Sequence, residues 1–315
     1  MNKQDIKNFT AKLKRDPESH KYDYGHVLVI AGSKNMPGAG VLCCNSAMRS
    51  GAGLVTYAVR ESFLSSACAM SKPETMFFVY KTAADILKFI KSRKVSSVVI
   101  GPGLAADSKL RSFILKIITS VNIPVILDAS GISAFNNDYA GLKKAKAKLI
   151  LTPHACEFSK LTGMSAPSLR ALKGRGNPDN KTVVSASFKH SGLLRCRCTP
   201  PRNDDKESAV KEFAKKCNLI CLLKGRNTIV SDGENTYINK TGTPAMATAG
   251  SGDVLSGAIA AFAGINPDLF EAVKFAVFIH GLAGEISEKD KGAAGVIASD
   301  ISENMCYAVK QLTKE

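Results

Sequence analysis

Short aliphatic, β-branched runs alternate with longer stretches of helical spacing through the first half of this chain, at 26–30, 54–58, 96–100, 124–127 and 148–151. A run of four to eight apolar residues bounded by Gly, Pro or an acid reads as a strand buried on both faces. The intervening stretches, such as 40–50, 83–91 and 108–120, carry the repeat of an amphipathic helix. Strands that alternate with helices build a parallel sheet covered on both faces, so the expected class is α/β. A second block, 218–223, 228–231 and 236–239, reads as three strands joined by tight turns, with Asp232-Gly233 as a hairpin signal. A helical part follows from Val254. With 315 residues and 45% hydrophobic content the chain can bury a large core, and no linker divides it. The expectation is one domain over 1–315, interrupted by an atypical insertion at about 165–206.

In open α/β sheets, ligands bind beyond the carboxyl ends of the strands. The residues after the successive runs are Ala31-Gly32-Ser33 leading to Met36-Pro37-Gly38-Ala39-Gly40, then Gly101-Pro102-Gly103-Leu104, then Asp128, then Thr152-Pro153-His154 with Glu157. After the strand ending at Leu223 come Lys224-Gly225 and Asn227-Thr228. Five loops with small or polar ends on one rim point to a site more than to packing.

The densest signal is Ala247-Thr248-Ala249-Gly250-Ser251-Gly252-Asp253, placed directly before the apolar stretch 254–262. Small residues at a helix start leave backbone N–H groups uncovered and make a cradle for an anion. Asp253 falls in the first helical turn, where the macrodipole favours its ionised form. A carboxylate beside a phosphate site suits a proton acceptor in phosphoryl transfer to a hydroxyl. The same residues also read as a cap on a packed helix, because Leu255, Ile259 and Phe262 form a buried stripe. Taken singly, His154 reads as a helix cap, Lys224 as a solvated turn residue, Asp128 as a ligand contact or a strand end, and His280 as helix packing.

The formal charge of +16 raises the question of nucleic acid, but its distribution argues against it. The stretch 165–202 holds Arg170, Lys173, Arg175, Lys181, Lys189, Arg195, Arg197 and Arg202 against Asp179 alone, lacks a hydrophobic period, and has Phe188 as its one aromatic. It reads as an inserted or disordered loop, with contact to a phosphate-rich ligand or RNA as the second reading, and it motivates the alternative of a non-catalytic nucleotide or RNA binder. Nine cysteines without paired C-x-x-C spacing read as buried thiols in a reducing compartment, not as disulfides or a zinc site. The N-terminal segment is polar, and no run has signal-peptide or membrane-spanning length, so a soluble cytoplasmic protein without a membrane partner is expected.

These motifs together resemble the ADP/ATP-dependent NAD(P)H-hydrate dehydratases of the ribokinase-like superfamily. The matching pieces are His20-Lys21 with 25–33, Gly38-Ala39, 49–55, Gly101-Pro102-Gly103-Leu104, Leu151-Thr152-Pro153-His154 with Glu157, and Leu223-Lys224-Gly225 with Thr228. They continue with Asn239-Lys240-Thr241-Gly242, the run 249–257, and His280-Gly281 with Ala283-Gly284. The resemblance covers nearly all of the chain apart from the N-terminal tail and the basic insertion.

The resemblance implies a three-layer α/β/α sandwich around a mostly parallel sheet. It also implies repair of hydrated NADH or NADPH (the S epimer) by phosphorylation of the ring hydroxyl and loss of phosphate, with ADP or ATP as donor and Mg2+ alongside. By position, Asp253 corresponds to the base and a substrate contact, and Ala249, Gly250, Ser251 and Gly252 to the anion hole. Lys224, Gly225, Arg226, Asn227, Thr228 and Gly252 correspond to the nucleotide site, and Ala39, Gly103 and His154 to the hydrated-dinucleotide pocket; no metal ligand is carried over. A second acid expected near Asp128 is absent, since the chain reads Asp128-Ala129-Ser130-Gly131. The epimerase domain often fused upstream is not among the matching pieces, so a separate epimerase and a homotetramer are the implied partners. The competing reading is a kinase of a vitamin-precursor alcohol of hydroxyethylthiazole or pyridoxine type, which would use the same Gly-Ser-Gly-Asp apparatus.

Overall fold

The computed structural model describes residues 1–163 and 203–313. The basic stretch that dominates the expected insertion lies outside the described residues. In chain order the main elements are α1 (Lys3–Leu13), β1 (His26–Ile30), α2 (Pro37–Arg49), β2 (Leu54–Val59), α3 (Leu64–Met70), β3 (Met76–Val79) and α4 (Ala83–Ser92). Next come β4 (Ser97–Ile100), α5 (Leu110–Ile118), β5 (Pro124–Leu127), α6 (Ser130–Ser133), β6 (Lys148–Leu151) and α7 (Ala155–Thr162). The chain resumes with α8 (Asn203–Cys217), β7 (Ile220–Leu223), β8 (Ile229–Ser231), β9 (Thr236–Ile238), α9 (Ser251–Ala263), α10 (Leu269–Lys291) and α11 (Ala298–Thr313). Residues 203–206, the last of the expected insertion, are helical.

One nine-stranded sheet has the order β3-β2-β1-β4-β5-β6-β7-β8-β9. Pairing is parallel from β3 to β7 and antiparallel across β7-β8-β9. Strict side-chain alternation gives the inner strands two buried faces. Val27, Val29, Val99, Ile126, Ile150 and Leu222 enter the core beneath α2, α9, α10 and α11. Leu28, Ile30, Ile100, Leu127, Leu151 and Leu223 enter the opposite core beneath α4, α5, α7 and α8. The three-layer α/β/α sandwich follows from that two-sided burial.

Helix α1 and strand β3 are among the elements that were not read from the sequence. Helix α1 lies in the segment taken as a polar tail, yet Phe9 stacks on Phe275 at a centroid distance of 4.0 Å and meets Phe262 edge-on at 5.6 Å. Burying that ring contributes about 1.5–3 kcal/mol, enough to dock a helix whose other residues are mainly polar. The edge strand β3 is only partly buried, and it pairs with β2 from Thr56↔Met76 to Val59↔Val79. The thiols are also less uniform than expected: Cys43, Cys44, Cys217 and Cys221 are buried, whereas Cys68 is exposed and Cys156 and Cys306 are intermediate.

Helices α2 and α9 cross where Gly257 lies against the carbonyl of Cys43, closer than any side chain permits. The crossing holds the starts of the two helices together, and Ser46 Oγ ties α2 to the carbonyl of Val254 in α9 at 2.6 Å.

Candidate active site

Five parallel strands, β1, β4, β5, β6 and β7, deliver the loops expected at one rim. The loops after β1 and β4 are stitched by the Gly32 N–H, which donates to the Pro102 carbonyl at 2.7 Å. Gly103 adopts φ +63°, and a Cβ there would come within 2.8 Å of both the Ala39 Cβ and the Met36 carbonyl. Ala39, in the first turn of α2, and Gly103 thus share one surface. Farther along the rim the Lys224 N–H donates to the Pro153 carbonyl at 2.8 Å, so the loops after β6 and β7 run side by side, with His154 bridged to Lys224.

The cradle forms at the start of α9. Gly250 is its N-cap at φ +90°, a left-handed conformation that glycine adopts without penalty. The Ser251 N–H reaches the Thr248 carbonyl only at 3.4 Å, and the N–H groups of Ala249, Gly250 and Gly252 bond to no described residue. His280, buried in α10, holds the loop from behind: its Nε2–H donates to the Ser251 carbonyl at 3.1 Å. Burial drops the His280 pKa to about 4, despite that backbone contact, so the ring is neutral and its tautomer fixed. His280 does pack within a helix, as read from the sequence, and it also props the cradle, which only the three-dimensional contact shows.

Asp253 occupies the third position of α9, beside this cradle. The helix dipole favours its ionised form, as read from the sequence, but other effects outweigh it. Burial, reinforced by the nearby Asp128 carboxylate and only partly opposed by Lys224, pushes its pKa up to about 7. Desolvation of a half-buried carboxylate here exceeds the dipole's contribution of about 0.3–1 kcal/mol.

Lys224 is not a solvated turn residue. Its Nζ pairs with Asp128 Oδ1 at 2.7 Å, and the other Asp128 oxygen accepts from Ser256 Oγ at 2.8 Å. Asp128 is 1% exposed, so it ends a strand as a buried counter-ion and has little surface left for a ligand. Burial alone would lower the Lys224 pKa, but Asp128, with Glu157 and Asp253, outweighs it and holds the ammonium above its usual range. A Cβ on Gly252 would lie 3.3 Å from Lys224 Nζ, which puts a fixed positive charge at the mouth of the cradle. The following turn suits a close-approaching ligand: Gly225 has φ +154°, Asn227 φ +57°, and Thr228 Oγ1 donates to the Gly225 carbonyl at 2.9 Å, with Arg226 exposed.

His154 is the N-cap of α7. Its Nδ1 accepts from the N–H groups of Cys156 and Glu157, and Glu157 Oε2 accepts from the His154 N–H at 2.9 Å. The capping read from the sequence is present, and the ring is exposed at the rim between Gly103 and Lys224.

Among the described residues no group of three His, Cys, Asp or Glu side chains could hold a metal ion.

The site thus combines an amide cradle, a carboxylate of raised pKa and a clamped lysine at a parallel-sheet rim. A model of the NAD(P)H-hydrate dehydratase family matches residues 27–306. The chain belongs to that family. It is 32% identical over 96% of its length to the bifunctional NAD(P)H-hydrate repair enzyme Nnr of Thermofilum pendens, and covers 53% of that protein. The chain thus spans about half the length of the bifunctional relatives it matches. It is 29% identical to the ADP-dependent (S)-NAD(P)H-hydrate dehydratase of Listeria monocytogenes, with 93% of this chain and 90% of that protein aligned. Among solved structures, the ADP/ATP-dependent NAD(P)H-hydrate dehydratase of Bacillus subtilis, co-crystallised with ATP/Mg2+, superposes with TM-score 0.74 at 26% identity, covering 98% and 97% of the two chains. Ribokinase of Arabidopsis thaliana, at TM-score 0.52, 13% identity and 92% and 99% coverage, shares the fold alone. The dehydratase family's architecture here is ribokinase-like.

Proposed function

We propose that this chain dehydrates the S form of hydrated NADH and NADPH, with ADP or ATP as phosphoryl donor. The observation that carries the reading is Asp253, a carboxylate poised near neutrality beside unpaired amides and the Lys224 ammonium. The ring hydroxyl of the substrate loses its proton to Asp253 as its oxygen attacks the terminal phosphorus, and the bond to the donor's leaving oxygen breaks. The N–H groups of 249–252 take the charge that develops on the moving group, where one lost donor typically costs about 2.7–4 kcal/mol. Phosphate then leaves with the C–O bonding pair, pushed by the ring nitrogen, and a proton departs from the adjacent ring carbon to restore the dihydropyridine. Phosphorylation is what makes this departure easy, since hydroxide is a far poorer leaving group.

In this reading Lys224, Gly225, Arg226, Asn227 and Thr228 hold the donor, with Gly252 at its phosphates, while Ala39, Gly103 and His154 line the acceptor's path. Magnesium, bound with the donor, would neutralise phosphate charge. The named relatives support the reading, since the Bacillus protein carries ATP/Mg2+ and the Listeria protein is ADP-dependent. A partnership with an epimerase that interconverts the two hydrates rests on the family resemblance. A cytoplasmic setting fits the buried free thiols, and no described helix is long and apolar enough to cross a membrane. A homotetramer rests on the family resemblance.

The test gives the purified chain hydrated NADH or NADPH with each donor in parallel and follows the return of dihydronicotinamide absorbance. Recovery with either donor is expected. No recovery, together with turnover of a thiazole or pyridoxine alcohol, would overturn the assignment.

A further inference from the structure

The sheet rim continues past the catalytic loops. Beyond Gly103, over the carboxyl ends of β4, β1, β2 and β3, opens a cavity of about 450 Å³. It is walled by the same two loops that present Ala39 and Gly103, through Gly32–Asn35 on one side and Leu104–Lys109 on the other. Three cations line it, Lys34, Arg60 and Lys109, against the single acid Asp107, whose carboxylate accepts the Lys109 backbone N–H at 2.8 Å. Arg60 is pre-ordered: its guanidinium lies 4.5 Å above the Tyr80 ring, and Nη1 donates to the Lys81 carbonyl at 2.6 Å. Tyr80 stacks in turn on the half-buried Phe113 at 5.6 Å, giving the cavity an aromatic wall. An excess of positive charge beside aromatic rings is the chemistry of a phosphorylated nucleoside.

We propose that this cavity receives the phosphate-bearing adenosine half of the hydrated dinucleotide, with Arg60, Lys34 and Lys109 taking its anionic groups. The proposal rests on the dehydratase reading and extends it. The donor loop follows β7, on the other side of the cradle, so the two nucleotides approach Asp253 from opposite directions. Three strand spacings separate β5, which ends at Asp128, from β2, which ends beside Arg60, and that is about 15 Å. An extended dinucleotide with its nicotinamide at Asp253 covers that span.

The experiment titrates the full chain calorimetrically with NADP+ and NAD+, which share the distal half of the substrate and do not react. Arg60→Ala and Lys109→Ala are each expected to weaken NADP+ binding roughly tenfold, the low end for a hydrogen bond to a charged group. Lys310→Ala, at an exposed position on α11, should leave the affinity unchanged. Equal weakening of both ligands assigns the cations to the shared diphosphate, and weakening of NADP+ alone assigns them to the 2′-phosphate; either supports the subsite. Affinities within twofold of the parent in both variants, or no binding of NADP+ by the parent, would overturn it. Thermal melts separate lost contacts from lost folding, and Lys109, on an exposed loop, guards against an Arg60 variant that fails to fold. If the hydrates are not turned over while NADP+ still binds through Arg60, the dehydratase reading fails alone. If they are turned over with affinity independent of Arg60, the subsite fails alone.

Discussion

Lys224 Nζ lies 2.7 Å from Asp128 Oδ1, although the two residues follow β7 and β5 and are separated by the whole of β6. The pair is buried on the aspartate side and closed by Ser256, so each partner sets the potential felt by Asp253.

That arrangement gives two pH shifts of opposite sign. Asp128→Asn removes a like charge near Asp253 and leaves Lys224 to act on it, so the acid limb of the kcat/KM profile should move to lower pH. Lys224→Met removes the opposing cation, and the limb should move to higher pH, with activity reduced by about ten- to a hundredfold as a charged phosphate contact is lost. Shifts in the same direction would contradict the placement of these charges.

Asp253→Asn should reduce turnover of the hydrates by about 10²–10⁴, the range for a lost general base. The same change should stabilise the protein. The folded pKa of about 7 stands above the ordinary carboxylate value of 3.8, so ionisation costs stability progressively as pH rises through that interval, and the cost is constant above it. At about pH 8 the Asn variant should therefore be more stable, by about 1–3 kcal/mol once partial exposure is discounted, and the gap should close toward about pH 4. Chemical denaturation at the two pH values measures it.

His280→Ala should lower turnover about tenfold by releasing the Ser251 carbonyl, at a cost of about 1–3 kcal/mol in stability. Because the imidazole is already neutral, the shape of the pH–rate profile between about pH 5 and 8 should not change. His280→Gln, which keeps an N–H donor, should recover part of the rate. A change in the profile would mean that the imidazole titrates in catalysis.

Gly257→Ala should lower the melting temperature by a few degrees, through about 1–3 kcal/mol of overpacking against the Cys43 carbonyl. A neutral effect on the melting temperature would show that α2 and α9 can part without cost.

The parallel strands were legible because burial on both faces leaves nearly unbroken apolar runs: β1, β5 and β6 begin and end where the pattern places them. Strand β3 was not, although Met76–Val79 is a short apolar run: it is a partly exposed edge that pairs with β2 alone, and four residues without a helical or alternating period do not separate a strand from a helix turn. Helix α1 was hidden because its docking depends on Phe9 and two rings more than 250 positions away in the sequence. At the site, residue types and order disclosed the cradle, but the sign of the Asp253 shift did not follow from them. That sign depends on Asp128 and on burial, neither of which local spacing reports. The Lys224–Asp128 pair joins loops of separate strands, and no periodicity announces it.

The glycine contact between α2 and α9 has a consequence for engineering. Ala39 rides on the first turn of one helix and Asp253 on the first turn of the other, so under the proposed function the gap between acceptor pocket and proton acceptor is inherited from the scaffold. Retuning which alcohol is accepted would have to proceed through the rim loops after β1 and β4, because widening the helix spacing would move the base along with the pocket wall.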